Sequence, residues 1–287
     1  MTSRPQSANA PVKAFDLRQQ LHEDVLQRVD RSMGVGLDRA TLVYGTQGMM
    51  AGFRTDVGTW VRVQWRRPSK IYGPAWAGAE CASVLRGVTK PDWFQTASWT
   101  DDIREVVWRA DEMELVSSPV INSTGVVATE PELSESWWAS LKTSLVALAE
   151  HQTERVGVRQ EHLTLRINQV FPDEVDTTVD DWVTAHADLH WGNLTAPDCY
   201  LLDWEDWGAA PRGRDAVSLW GASLRVPALA ARVQHEFCHD LQTRSGKLAQ
   251  LLFCSNVIRV NAKRSDPSPL VEPAKRFADM LLAELRS

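Results

Sequence analysis

The spacing of the apolar residues differs between the two parts of this chain, and this difference limits the fold more than any other feature of the sequence. Up to about residue 116 most elements are short apolar runs of period two, as in Thr59-Trp60-Val61-Arg62-Val63-Gln64-Trp65. Further on they recur at helical spacing, as at Trp137, Leu141, Leu145 and Leu148. Period two is typical of strands and a period near 3.6 of helices. A strand-rich part followed by a helix-rich part predicts an α+β fold with a cleft between two lobes.

Turn residues divide these parts into elements. We predict a helix from Phe15 to near Gly34 and another over 74–86, with strands over 41–45, 50–55, 59–65, 93–99 and 104–116. The first three strands form an antiparallel meander. Helices over 137–153, 161–170, 215–224, 228–243, 247–263 and 269–285 follow. The predicted boundaries are a disordered tail over 1–12, an N-terminal lobe over 13–118 and a C-terminal lobe over 119–287, with turn chemistry at the joint.

Composition excludes several classes of protein. A net charge of −6 and a pI of about 5.7 argue against a nucleic-acid partner. No apolar run approaches the roughly 18 residues of a membrane span, and the N-terminus lacks the apolar core of a signal peptide. The four cysteines are scattered without a CxxC pair, which is typical of free thiols in a reducing compartment. We expect a cytoplasmic protein, either a monomer or a homodimer.

One segment of the second part carries the side chains that phosphoryl transfer requires. His186-Ala187-Asp188-Leu189-His190-Trp191-Gly192-Asn193 has the spacing of the kinase catalytic loop, H-R-D-x-x-x-x-N. Asp203 follows the apolar run 199–202. Asp188 would orient the attacking hydroxyl, while the Asn193 amide and the Asp203 carboxylate would hold Mg²⁺ against the phosphate. We predict Asp188 as the catalytic residue and Asn193 and Asp203 as metal ligands.

The same residues resemble the aminoglycoside phosphotransferase and choline kinase group, which has the bilobal protein-kinase-like fold. That family carries H-G-D-x-x-x-x-N, which resembles residues 186–193, and D-x-E followed by G-D-P-x-x-D, which resembles Asp203-Trp204-Glu205 with Pro211 and Asp215. The resemblance implies an N-terminal antiparallel sheet lobe with a helix and a larger, mainly helical C-terminal lobe.

The resemblance also implies supporting roles for residues around the motif. Glu205 would lie near the metal or its waters, with a solvated loop acid as the alternative. His186 would support the loop through hydrogen bonds. His190 would either support the site or touch the substrate, and loop packing is the alternative. Asp215 would hydrogen-bond the catalytic loop from the start of a helix.

The N-terminal part departs from the kinase pattern. Kinases place a strand lysine on the phosphates and pair it with a helix glutamate. Here Arg62 occupies the expected strand position and Glu80 follows on the predicted helix, so we predict both as cofactor-binding, with Lys70 as a second candidate. Arginine neutralises phosphate and pairs with carboxylate, although its planar fork differs from an ammonium group. No G-x-G-x-x-G is present, and the turn over 44–48 offers only two glycines.

Together these features predict a Mg²⁺-dependent phosphotransferase. It would transfer the γ-phosphate of ATP, with GTP as the alternative donor, to a hydroxyl of an antibiotic, amino sugar, nucleoside or related metabolite. An antibiotic acceptor would imply a role in resistance. A kinase-fold protein that binds nucleotide or ligand without phosphotransfer, a pseudokinase, is the alternative that Arg62 and the missing glycine loop favour. A protein kinase fits less well, because no D-F-G and A-P-E segments frame an activation loop.

The acceptor is the least defined part of the hypothesis. The acidic segment 173–181, with Glu236 and Asp240, leaves a cationic acceptor open beside the simpler interpretation of a solvated acidic surface. Four tryptophans lie near the motif and would either form a wall for a ringed acceptor or pack in the core: Trp191, Trp204, Trp207 and Trp220.

Overall fold

The computed structural model describes residues 16–20, 22–45, 47–71 and 73–286. The tail predicted over residues 1–12 lies outside these ranges. The chain forms two compact units. The first contains the described residues up to 71 together with Trp93–Leu115, and the second contains Gly73–Asp92 and the described residues from Val116 onward.

The first unit is an antiparallel sheet with one helix. Its elements are α1 (Glu23–Met33), β1 (Leu37–Tyr44), β2 (Met50–Thr55), β3 (Thr59–Arg66), β4 (Trp93–Asp101) and β5 (Val106–Glu114), and a 3₁₀ turn spans Pro68–Lys70. The five strands lie in the order β1-β2-β3-β5-β4, and every pairing is antiparallel. The predicted meander is β1 to β3, which the chain then extends by placing β5 beside β3.

Alternation along β3 separates two faces of this sheet. Val61, Val63 and Trp65 are buried in the apolar core that also contains the buried face of α1. Arg62 and Gln64 point to the other face and are buried as well. Helix α1 begins at Glu23 rather than near Phe15, because residues 17–19 form a turn in which the backbone N–H of Leu17 donates to the carbonyl of Gly48 at 2.7 Å.

The second unit is mainly helical. Its elements are α2 (Gly78–Cys81), α3 (Glu135–Glu150), α4 (Gln160–Asn168), β6 (Trp182–Ala185), β7 (Gly208–Pro211), α5 (Arg214–Ser223), α6 (Pro227–Glu236), α7 (Cys238–Leu241), α8 (Arg244–Asn261) and α9 (Val271–Arg286). The helix predicted over 228–243 is interrupted at Phe237, whose backbone leaves the helical region. The α+β arrangement, with a sheet and helix first and a mainly helical part second, is confirmed.

Residues 73–92 belong to the second unit, whereas the sequence interpretation placed them in the N-terminal lobe. Long-range hydrogen bonds explain the difference. The Trp207 indole donates to the carbonyl of Gly78 at 2.9 Å, and the backbone N–H of Leu201 donates to the carbonyl of Thr89 at 2.9 Å. The second unit is therefore built from two separate stretches of the chain.

The helix predicted over 74–86 is broken into three short pieces, Pro74–Ala77, Gly78–Cys81 and Ala82–Val84. Gly78 packs so closely that a Cβ there would lie 2.3 Å from the carbonyl oxygen of Trp204. Packing against the motif segment, rather than helix propensity, sets the shape of this stretch. Among the described residues, no helix is both long and apolar enough to cross a membrane.

The four tryptophans near the motif all lie in the core of the second unit, with side chains 0–4% exposed. Three of their indole N–H groups donate to protein atoms: Trp191 to Ser223 Oγ, Trp204 to the carbonyl of Leu201 and Trp207 to the carbonyl of Gly78. Core packing is therefore their role, and the interpretation as an acceptor wall is wrong.

Candidate active site

A two-stranded sheet brings the parts of the motif together. Strand β6 ends at Ala185, which lies opposite Gly208 at the start of β7. Residues 186–193 therefore leave this sheet at the end where residues 203–207 enter it. Asp203 and Asp206 lie close enough to Asp188 for their charges to affect its pKa. The predicted catalytic carboxylate and one predicted metal ligand thus converge.

Asp215 anchors the beginning of the loop over residues 186–193. It lies in the first turn of α5 and is buried, and its two carboxylate oxygens accept from the backbone N–H groups of His186 (2.8 Å) and Ala187 (2.9 Å). Two N–H donors satisfy a buried carboxylate and fix its orientation. The hydrogen bonds expected from Asp215 to this loop are present.

His186 ties the loop to the segment that precedes Asp203. Its fully buried ring packs edge-on against Trp204, with centroids 4.7 Å apart. Nε2 lies 2.7 Å from the carbonyl oxygen of Leu202, which only accepts, so Nε2 carries the proton and donates. The ring therefore links two turns and has no access to a reactant.

Two residues at or next to the predicted catalytic and metal-binding positions have left-handed backbones. Ala187 has φ +68° and Asp203 has φ +61°. This region costs an L-residue about 1 kcal/mol or more relative to glycine. The family motif has glycine where this chain has Ala187, and the observed φ gives the physical reason for glycine there. Such strain persists where the surrounding structure enforces it, as at functional sites.

Asp188 combines accessibility with partial desolvation. Burial raises its pKa above the ordinary value, and the charges of Asp203 and Asp206 raise it further, against the opposing influence of His190 and His186. The side chain is still 54% exposed. A carboxylate with a raised pKa accepts a proton more readily than an ordinary one.

His190 faces Asp188 in a defined tautomer. Its Nδ1 accepts from the backbone N–H of Gly192 at 3.0 Å, so Nε2 bears the proton and lies 4.0 Å from Asp188 Oδ2. Close packing fixes the ring, since a Cβ at Gly125 or Gly192 would lie 2.9 Å from it. His190 is therefore held beside the carboxylate rather than in the core.

Asn193 is held by the loop that it closes. The side-chain Nδ2 donates to the backbone carbonyl of Asp188 at 2.9 Å. The backbone carbonyl of Asn193 accepts from the backbone N–H of Leu202 at 2.8 Å. The first bond turns the amide so that Oδ1, the atom that would bind a metal, points away from the Asp188 backbone.

The donor set near Asn193 fits magnesium. Across the described ranges, no group of three or more His, Cys, Asp and Glu side chains could hold a metal ion. Mg²⁺ does not need such a cage, because it usually takes one or two carboxylates and completes its shell with water and substrate phosphates. An amide oxygen from Asn193 and a carboxylate from Asp203 would be enough.

Glu205 and Glu80 belong to segments that pack together in the second unit. A Cβ on Gly78, two residues before Glu80, would lie 2.6 Å from the Cα of Glu205. The backbone of this segment is also held by Arg155, whose guanidinium donates to the carbonyls of Glu205 and Trp207 at 2.9 and 3.0 Å and stacks over the Trp207 ring. Arg155 was missed in the sequence because its partners lie some fifty residues away.

Arg62 lies in the first unit, in the middle of β3 and opposite Asp111 of β5. Asp111 accepts two hydrogen bonds from Arg109, at 2.7 and 2.6 Å, and a third from the Trp93 indole at 3.0 Å. Arg62 thus belongs to a buried charged stripe that the sequence interpretation did not foresee. Because Glu80 lies in the other unit, the Arg62–Glu80 pair stays a prediction.

Together, the antiparallel sheet unit, the mainly helical unit and the anchored loop define the class of kinase-like phosphotransferase folds. The family comparison agrees with this class, because residues 123–248 match the model of the phosphotransferase enzyme family known as APH. The match contains the whole of the anchored loop, Asp203 and Asp215. No curated protein matches the sequence.

Solved structures extend the likeness to nearly the whole chain. A GDP and kanamycin complex of APH(2")-IIia is 11% identical with a TM-score of 0.56, covering 93% of this chain and 98% of that one. An apo thermostable mutant of aminoglycoside phosphotransferase APH(4)-Ia is 9% identical with a TM-score of 0.54, covering 90% and 98%. Amicoumacin kinase hAmiN, in complex with AMP-PNP, Ca²⁺ and Ami, is 11% identical with a TM-score of 0.53, covering 92% and 96%.

At these sequence identities the solved structures establish the fold alone. The family match covers the residues that carry the motif. The resemblance to the aminoglycoside phosphotransferase and choline kinase group, with its protein-kinase-like fold, is confirmed. The chain therefore has the fold of small-molecule kinases.

Proposed function

We propose that this protein is a small-molecule kinase that transfers the γ-phosphate of ATP, with Mg²⁺, to a hydroxyl group of its acceptor. The observation that carries the proposal is the convergence of Asp188, Asn193 and Asp203 at one end of the β6–β7 sheet, held there by Asp215 and His186. A solvated loop of unrelated function would not need two backbone N–H groups anchored on one buried carboxylate.

In this proposal Asp188 acts on the acceptor hydroxyl. In the transfer, a bond forms between the hydroxyl oxygen and the γ-phosphorus. The bond from that phosphorus to the bridging oxygen breaks, ADP leaves, and the hydroxyl proton passes to the Asp188 carboxylate. The transition state is loose, so orientation of the hydroxyl contributes more than strong proton abstraction. His190, packed against Gly125 and Gly192, lies 4.0 Å from the carboxylate.

Asn193 and Asp203 would hold the Mg²⁺ that accompanies the nucleotide. When bound, the ion neutralises charge that develops on the transferred phosphate. The chain's own contribution is the rigid placement of the amide by its bond to the Asp188 carbonyl and of the carboxylate by a left-handed backbone. ATP is the proposed donor because the amicoumacin kinase structure holds AMP-PNP, while the GDP in the APH(2")-IIia structure keeps GTP as the alternative.

Asp188→Asn tests the proposal. It keeps the size of the side chain but removes its ability to accept a proton. Phosphate transfer from labelled ATP to a panel of aminoglycosides, nucleosides, sugars and hydroxy acids should fall by roughly 10²–10⁴ for whichever acceptor is used. The unfolding temperature should hardly change, because the side chain is largely exposed. Wild-type turnover by the variant would rule out Asp188 as the catalytic residue.

A nucleotide-binding protein without transfer is the competing function, and Arg62 at the position of the usual lysine is the observation in its favour. A thermal-shift titration with ATP, with and without Mg²⁺, shows whether this protein binds nucleotide, which both functions require. Metal-dependent stabilisation together with transfer supports the kinase. The same stabilisation without transfer to any acceptor on the panel supports the binding protein.

A further inference from the structure

A short segment over residues 155–158 lies along β7, on the edge that faces away from β6. The backbone N–H of Ala209, in the middle of β7, donates to the carbonyl of Arg155 at 2.8 Å. The carbonyl of Ala209 accepts from the backbone N–H groups of Gly157 and Val158 at 3.0 Å each. Both backbone polar groups of Ala209 therefore point to this segment, and β6 pairs along the other edge. We call residues 155–158 the flanking segment.

Two glycines allow the flanking segment to approach β7 closely. A Cβ at Gly208, the first residue of β7, would lie 2.6 Å from the backbone nitrogen of Gly157. A Cβ at Gly157 would in turn lie 3.3 Å from the carbonyl oxygen of Gly208. Neither glycine has a left-handed backbone. Space, rather than backbone conformation, is therefore the reason for glycine at these two positions.

Gly157 also faces the loop that carries the predicted catalytic residue. A Cβ at Gly157 would lie 2.8 Å from the Cβ of Ala187 and 3.1 Å from the backbone carbonyl oxygen of Asp206. Two carbon atoms in favourable contact are about 3.5–4.0 Å apart. Ala187 directly precedes Asp188, and Asp206 follows Asp203 by three residues. The space at Gly157 is therefore bounded by both stretches that carry the site.

The methyl group of Ala187 needs this space. The family motif has glycine where this chain has Ala187, so the methyl group is an addition next to Asp188. Its direction is fixed, because the backbone N–H of Ala187 donates to Asp215 at 2.9 Å and the residue has φ +68°. Ala187 is only 7% exposed. Gly157 is therefore the residue that accommodates a side chain at position 187.

The flanking segment also holds the chain that leads into β7. The Arg155 guanidinium donates to the carbonyls of Glu205 and Trp207 at 2.9 and 3.0 Å, and it lies 4.6 Å from the centroid of the Trp207 ring. One end of the segment therefore fixes the residues before β7. The contact of Gly157 with Ala187 sets how closely the loop approaches them.

We propose that Gly157 is a positioning residue for phosphate transfer. By leaving room for the Ala187 methyl group, it sets the separation between Asp188 and the chain that carries Asp203. This inference rests on the proposed kinase function. Gly157 would act through the backbones on either side of it rather than by touching the reactants. Transfer is sensitive to such a residue because orientation contributes most when the transition state is loose.

An exchange of methyl groups between the two positions tests this role. Gly157→Ala adds a methyl group against Ala187 and should lower kcat for phosphate transfer roughly 10²-fold, while KM for ATP changes little. Ala187→Gly should transfer phosphate as the wild type does. Gly157→Ala/Ala187→Gly should recover most of the lost kcat, because a single methyl group then occupies the space. Its closest remaining contact is the 3.1 Å approach to the carbonyl of Asp206.

Hydrogen exchange gives a second readout that needs no acceptor. The backbone N–H groups of His186 and Ala187 donate to the buried carboxylate of Asp215, so they should exchange slowly in the wild type. Mass spectrometry of a peptide over residues 183–189 should show a loss of this protection in Gly157→Ala. The double variant should regain it.

Gly221→Ala is the matched control. Gly221 is another crowded glycine of the second unit, where a Cβ would lie 2.2 Å from the ring of Phe253. The variant should lower the unfolding temperature through overpacking, but kcat and the exchange of the 183–189 peptide should stay as in the wild type.

Three results would overturn the positioning role and leave the kinase standing. They are wild-type kcat and exchange in Gly157→Ala, losses that the double variant does not restore, and equal losses in Gly221→Ala. If Gly157→Ala does not fold, the double variant decides, because it should fold and transfer phosphate. If no protein of the series transfers phosphate to any acceptor, the proposed function fails. The exchange measurement then decides alone whether Gly157 positions the loop.

Discussion

Each unit of this protein contains a buried aspartate that is central to its structure, and the two are satisfied in different ways. Asp111, in β5 of the first unit, receives hydrogen bonds from the side chains of Arg109 and Trp93. Asp215, at the start of α5 in the second unit, receives them from the backbone N–H groups of His186 and Ala187. Both carboxylates are at most 7% exposed.

The difference lies in what each aspartate determines. Arg109 is two residues from Asp111 on the same strand, so that pair balances charge locally. The backbone partners of Asp215 lie 28 and 29 residues away, so its carboxylate fixes where the loop over residues 186–193 leaves β6. A side-chain partner can be removed together with the aspartate, whereas a backbone partner cannot. A second substitution should therefore restore stability after loss of the aspartate in the first unit but not in the second.

A large loss of stability is expected at Asp111. Asp111→Ala leaves the buried Arg109 without its carboxylate, which should lower the free energy of unfolding by about 3–5 kcal/mol. Arg109→Leu/Asp111→Leu should recover part of that loss, because it removes both members of the buried pair. The Trp93 indole still loses its acceptor in this variant. Denaturant unfolding measures both variants.

An exposed pair provides the control. Glu272→Ala removes the partner of Lys275 on the surface of α9 and should cost at most about 1 kcal/mol. If the double substitution at residues 109 and 111 is as unstable as Asp111→Ala, the carboxylate has a role beyond neutralising Arg109.

A loss of stability of similar size, together with a large loss of activity, is expected at Asp215. Asp215→Ala leaves two buried N–H donors unsatisfied, at about 1–3 kcal/mol each, and no second substitution can remove them. Release of the loop should also lower phosphate transfer by roughly 10²-fold, because small displacements of an orienting group are costly. Denaturant unfolding and a transfer assay give the two readouts.

Two variants set the scale for Asp215. Asp215→Asn keeps one acceptor oxygen and should be intermediate in both readouts, while Asp279→Ala, at an exposed position of α9, should be silent. Normal transfer by Asp215→Ala, with only stability reduced, would show that the loop keeps its shape without the anchor.

The sequence predicted the parts of the site that depend on short-range spacing. Asp188 and Asn193 lie on one loop, and their spacing reflects a turn whose amide bonds back to the Asp188 carbonyl. Asp203 was predicted because it follows the apolar run 199–202, and Asp215 because it matches an aspartate of the family motif. Period two likewise identified the strands of the first unit, since alternation is a local property of the chain.

Contacts between distant residues were not predictable in this way. Arg155 holds the segment around Glu205 from fifty residues away, and the stretch from Gly73 joins the second unit through hydrogen bonds to residues beyond 200. Nor does alternation reveal that β5 inserts beside β3, which forms the buried charged stripe.

The smallest effect, and the finest test of the Asp215 anchor, is expected at Ala187. The anchored N–H of this residue fixes a left-handed backbone at φ +68°, which costs alanine about 1 kcal/mol relative to glycine. Ala187→Gly removes that cost. It also removes the packing of one buried methyl group, which contributes about 0.8 kcal/mol. The two terms nearly cancel, so the free energy of unfolding and the transfer rate should both stay close to wild type.

Ala230→Gly is the matched control, because Ala230 is equally buried but lies in α6 with a helical backbone. There the methyl group and the helix propensity are both lost, so the variant should be destabilised by about 1–2 kcal/mol. Denaturant unfolding of the two variants side by side isolates the contribution of the backbone. An equal loss in both would mean that Ala187 is unstrained, and that Asp215 holds a conformation which the loop adopts without it.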